Sequence, residues 1–144
     1  MKKSLITLLT TLILMTIPYI ASAHTFVGGH EEEIKEILNL VEAKLGPLNE
    51  ELTFYSEETK EAGYKRLVEL GVKPEIAKYK SEISTGLTMP NLNDKWIVII
   101  EENAESTFFK KFTICHELIH RYQLTTYPTK ILSDRNLIEG GNIK

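Results

Sequence analysis

The stretch "KWIVIIEENAESTFFKKFTICHELIHRYQ" (Lys95–Gln123) decides how this chain is read. Its first six residues are almost continuously apolar and β-branched, which predicts a strand buried on both faces. Its second half holds His116, Glu117 and His120 in the order His-Glu-x-x-His. Helical residues four apart share a face about one turn from each other, so His116 and His120 can aim their imidazoles at one point. Glu117 is rotated by about 100° from His116 and reaches the side of that point. This is the donor set for a metal that acidifies a water, with a carboxylate placed to take its proton.

A helical wheel sets the expected packing. With His116 at zero, Phe108, Phe112, Cys115, Leu118, Ile119 and Tyr122 form one arc, which predicts a core-facing stripe. Thr113, His120, Glu117, Lys110 and Arg121 fall on the other side and are expected to edge a cleft. Cys115 is the chain's one cysteine. It cannot form an internal disulfide and is expected to pack as a small apolar group.

A catalytic zinc takes three protein ligands and leaves a place for water. The extension that would put Gly at 123 and His at 126 is absent, since these positions are Gln123 and Thr126. A glutamate from a following helix is the alternative, and "PTKILSDRNLIEGG" (Pro128–Gly141) carries Glu139, 19 residues after His120. "HELIH" followed at that distance by "NLIEGG" resembles the gluzincin branch of the zinc metallopeptidases. The resemblance covers Trp96 to Gly141.

The resemblance implies an α+β, zincin-like fold: a small mixed sheet packed on helices, with the active-site helix followed by a short third-ligand helix. It implies Zn2+ held by His116, His120 and Glu139, with Glu117 as general base. "STGLTMPN" (Ser84–Asn91) would be the edge strand along which an extended peptide lies. Tyr127 is the candidate oxyanion stabiliser. Asp134 is the candidate partner that orients a metal-bound histidine. The short tail after Glu139 implies a small or C-terminally truncated member.

The rest of the chain bounds this reading. "MKKSLITLLTTLILMTIPYIASA" (1–23) has a basic start, a short apolar middle and a small-x-small end, the three parts of a secretory signal peptide. Cleavage after Ala23 would leave 24–144 as a single domain of 121 residues with no stable membrane anchor. It removes two lysines and no acid, moving the formal charge from −3 to −5. That acidity, with no basic cluster interleaved with aromatics, argues against nucleic acid as a partner.

Within 24–144, "HTFVGG" (His24–Gly29) reads as a loose lead-in. "EEEIKEILNLVEAKLG" (Glu31–Gly46) has apolar residues at helical spacing and ends at Gly46-Pro47. Leu52–Tyr55 reads as a short strand. Ser56 and Thr59 both qualify as caps of a second helix that closes at Gly71, and Pro74 opens a third.

The function expected is an exported zinc-dependent peptidase acting on peptide or protein substrates. The alternative is an exported domain that binds zinc or protein without cleaving, a pseudo-peptidase. A copper site built on His24 as a processed N-terminus, together with His30, is a third reading.

Overall fold

The computed structural model describes residues 23–127. Four strands and four α-helices make up this part: β1 (Thr25–Val27), α1 (Glu31–Leu45), β2 (Thr53–Glu57), α2 (Lys60–Glu69), α3 (Pro74–Ile83), β3 (Gly86–Thr88), β4 (Trp96–Ile100) and α4 (Thr107–Thr126). The sheet runs β1-β2-β4-β3, parallel across its first two pairings and antiparallel where β3 meets β4. The class is therefore α+β with a small mixed sheet.

β4 explains the layering. All five of its residues are buried, and alternate side chains leave the sheet on opposite faces. Ile97 and Ile99 join Phe54, α1 and α4 in one core. Trp96, Val98 and Ile100 join Leu67, Val72 and Ala77 from the α2–α3 side in a second. A strand covered on both faces needs the continuous apolar composition that "KWIVII" has.

Local chemistry sets the helix ends. α1 has Glu31, Glu32 and Glu33 in its first turn, where carboxylates favour the positive end of the helix dipole. It stops at Gly46, whose φ of 87° suits a residue without a side chain. The Thr59 hydroxyl accepts from the Ala62 N–H at 3.1 Å to start α2, and α3 starts on Pro74. Ser106 caps α4 by accepting from the Phe109 N–H at 3.1 Å.

Three expectations are corrected. "HTFVGG" contains β1, which pairs with β2 from Thr25↔Thr53 to Val27↔Tyr55. The second strand spans Thr53–Glu57 and takes in Ser56, which is buried there, so Thr59 alone serves as the cap.

The third correction is the facing of α4. Lys110, Ile114, Glu117, Leu118, Arg121, Tyr122 and Leu124 are its buried residues, whereas Phe108, Phe112 and Ile119 are exposed. The buried arc is turned by about 100° from the expected one, one residue's worth of helix. Two cations make that rotation workable. Arg121 is fully buried and grips Glu50 through two bonds of 2.6 Å. Lys110 lies 3.1 Å from both Glu33 and Glu101. Burial of a charge is tolerable when it is paired and hydrogen-bonded in this way.

Candidate metal and peptide cleft

His116 and His120 project from one turn of α4 into solvent, and their Nε2 atoms converge to 2.9 Å. The two rings stand nearly perpendicular, 4.4 Å between centroids. Two ring nitrogens this close can share one proton or one metal ion. Ligation at zinc distances and tetrahedral angles spaces two nitrogens about 3.3 Å apart. The pair therefore fits such an ion after a shift of a few tenths of an ångström. Phe112 stacks on the outer side of His116, with centroids 6.3 Å apart.

Glu117 lies one residue round the helix and is buried to 8% exposure. Its Oε2 accepts from the Thr88 N–H of β3 at 3.1 Å. Burial raises the pKa of its carboxyl above the ordinary value, and the histidines, the Thr88 N–H and Lys80 oppose that rise without cancelling it. A carboxyl shifted toward neutrality is a better proton acceptor than an ordinary one.

β3 can approach the helix because Gly86 has no side chain. A Cβ there would stand 2.5 Å from Thr113 Cγ2 and 3.2 Å from Glu117 Cγ. β3 is also the last strand of its sheet. Beyond it opens a cleft of about 440 Å³ whose lining includes Lys80, Thr88, Met89, Glu117, His120 and Gln123. Arg121 holds the far wall of this cleft in place, since its guanidinium donates to the carbonyls of Met89 at 3.0 Å and Asn91 at 2.9 Å. The Asn91 side chain then caps the turn by accepting from the Asp94 N–H at 2.8 Å.

The sequence-predicted residues divide into three groups. Glu117 and His120 line this cleft, and His116 joins them through its contact with His120. Tyr127 ends α4 as an exposed residue, its N–H donating to the Gln123 carbonyl at 2.8 Å, and it does not line the cleft. Glu139 and Asp134 lie outside the described residues, as does nearly all of the 1–23 segment expected to be a signal peptide. Among the described residues no group of three metal-ligating side chains is assembled. Cys115 is half-buried against the α1–α4 core, as expected of a packed thiol.

Sequence reasoning placed Gly86 and Thr88 in the candidate edge strand without their roles toward Glu117, and it missed Lys80. Their contributions come from a strand, a close approach and a neighbouring helix, none of which leaves a local signal. The copper reading meets an obstacle at His24, whose Nδ1 already accepts from the Leu52 N–H at 3.0 Å. His30 is engaged elsewhere, beside Glu33, Glu101 and Lys110. Comparison with protein-family models, with curated proteins and with solved structures finds no match to this chain.

Proposed function

We propose that this chain is an exported, zincin-like, zinc-dependent peptidase of gluzincin type that hydrolyses peptide bonds in peptide or protein substrates. The observation that carries the reading is the convergence of His116 and His120 Nε2 to 2.9 Å beside a buried Glu117 at the mouth of a cleft. His116, His120 and Glu139 would hold zinc. Zinc, when bound, supplies a Lewis acid that polarises a carbonyl and lowers the pKa of water.

The chain's own residues have separable tasks. Glu117 is the general base, and the Thr88 N–H fixes the direction of its carboxylate through Oε2. β3 offers an outer edge to an extended peptide, which would bind main chain to main chain. Gly86 keeps that edge close to the catalytic helix. Tyr127 and Asp134 remain the candidates for oxyanion stabilisation and for orienting a ligand histidine.

Zinc content of the purified chain, measured beside three variants, tests this. One zinc per chain is expected in the wild type, lost in His116→Ala and in Glu139→Ala. Glu117→Gln is expected to keep the metal and lose peptide hydrolysis. A zinc-free wild type would overturn the reading. Zinc lost with His116→Ala but not with Glu139→Ala would move the third ligand elsewhere. The pseudo-peptidase alternative draws on the engagement of Glu117 with β3, and it predicts that Glu117→Gln changes no function at all.

A further inference from the structure

Among the described residues, cations removed from water follow one rule. Lys35, Lys60, Arg66, Lys110, Lys111 and Arg121 are each buried or half-buried, and each meets a carboxylate. Lys80 is the exception. It is half-buried on α3, yet it forms no ion pair within the described residues. Its neighbour Lys78 shows that α3 can supply a partner, since Lys78 pairs with Glu82 at 3.0 Å. Glu117 acts on Lys80 across the cleft, beyond ion-pair distance.

The position of Lys80 gives it a use. Lys80 lines the same cleft as Glu117 and His120, and among the described residues it is the one lysine or arginine in the lining. Glu117 is the one carboxylate that the described residues bring there, and its Oε2 accepts from the Thr88 N–H. The remaining wall is neutral: Ser84, Thr88 and Gln123 are polar, and Leu87, Met89 and Pro90 are apolar. The chain as a whole is acidic, so this cation stands against the prevailing charge. Its ammonium stands over the Tyr79 ring, 5.9 Å from the centroid, a weak cation–π contact at an exposed site.

We infer that Lys80 is a specificity residue that makes the cleft select ligands bearing a carboxylate, either an acidic side chain within an extended peptide or a free C-terminus. The substrate class, peptide, rests on the peptidase reading. The selection itself rests on a cleft-lining cation with no carboxylate at ion-pair distance among the described residues. A ligand carboxylate would supply the partner that every comparable cation of the described fold already has.

The test reads affinity without turnover, in the full chain carrying Glu117→Gln. Three pentapeptides with a neutral fluorophore are titrated by fluorescence polarisation. They are Ala-Ala-Glu-Ala-Ala amide, its Gln counterpart as the amide, and the Gln counterpart with a free C-terminal carboxylate. A half-exposed ion pair predicts about fivefold tighter binding of a carboxylate peptide over the Gln amide. That preference is expected to fall to about one with Lys80→Met and to survive with Lys80→Arg. It is also expected to weaken as salt screens the pair.

A preference confined to the free-carboxylate peptide would identify the ligand as a chain terminus and uphold the assignment. A preference for the Glu peptide would identify an internal acidic residue. Equal affinities for all three peptides would overturn it, as would a ratio that Lys80→Met leaves unchanged, or no binding by any. Zinc content measured on the same samples keeps the two questions apart. A zinc-free chain with a Lys80-dependent ratio sinks the peptidase and leaves the carboxylate subsite standing.

Discussion

The two sides of α4 are built on opposite terms. On the inner side, Arg121 makes two bonds to Glu50 and one each to the Met89 and Asn91 carbonyls. Lys110 at the other end is held between Glu33 and Glu101. On the outer side, His116 and His120 are exposed and have each other as partners. The contrast is what the proposed metal-binding role of α4 would need. Side chains that must stay put are over-determined, and those that must receive a ligand keep free lone pairs at a fixed separation.

The sharpest way to break that contrast is to remove the inner anchor. Arg121→Met leaves Glu50, whose side chain is 4% exposed, as a buried carboxylate without its cation. Breaking a buried pair from one side costs about 3–5 kcal/mol, so the urea midpoint is expected to fall by the largest amount of any change proposed here. Glu50→Met together with Arg121→Met removes both charges and is expected to recover most of that loss. Failure of the double variant to recover would show that the pair's value lies in the Met89 and Asn91 carbonyls it also satisfies.

Lys110→Met is the milder version of the same experiment. Glu33 and Glu101 keep 17% and 20% of their side-chain surface in contact with water, so the carboxylates left behind are partly solvated. A loss of about 1–3 kcal/mol is expected. Its pH dependence has a definite sign. Burial by itself lowers the Lys110 pKa, but the hydrogen bonds to Glu101 and Glu33 outweigh it and hold the pKa above the ordinary 10.5. The folded state therefore binds the proton more tightly than the unfolded one. The resulting stability is fully present below pH 10.5 and is lost as pH rises through the raised value. The gap between wild type and Lys110→Met is expected to narrow above pH 10.5 and to stay level at neutral pH.

Gly86→Ala probes the contact between β3 and the inner edge of the site. The added methyl would stand 2.5 Å from Thr113 Cγ2, and such overpacking costs about 1–3 kcal/mol. Thr113→Ser deletes the methyl it meets and is expected to restore part of the loss. Because Glu117 Cγ stands 3.2 Å from the same point, the pairing of Glu117 with the Thr88 N–H should also be disturbed. The Thr88 amide resonance is the readout.

How much of this was legible follows from how local each signal is. α1, α3 and β4 were readable because their patterns lie within one element: apolar spacing ended by Gly46, Pro74 at a first turn, and an unbroken β-branched run. The His116–Glu117–His120 arrangement was readable for the same reason, since one helical turn fixes it. β1 was not, because three residues before a Gly-Gly pair have no periodicity to show and become a strand only by pairing with β2. The facing of α4 was misread because Lys110 and Arg121 look like a solvated edge until Glu33, Glu50 and Glu101 arrive from distant segments. Local apolarity then pointed to Phe108, Phe112 and Ile119, the residues the fold leaves outside.

That misreading yields the smallest predicted effect. Phe112 is 57% exposed and Phe108 79% exposed, so truncating either to Ser removes little buried area. Substitutions at such positions shift stability by about 0.5 kcal/mol or less. Phe112→Ser carries one further consequence, because its ring stacks on His116. Loss of that contact frees the imidazole to rotate, so the expected signature is a nearly unchanged urea midpoint with weaker zinc retention against a chelator. A destabilisation approaching that of Lys110→Met would instead mean that Phe112 is covered in solution, and the two sides of α4 would then be less different than their exposures imply.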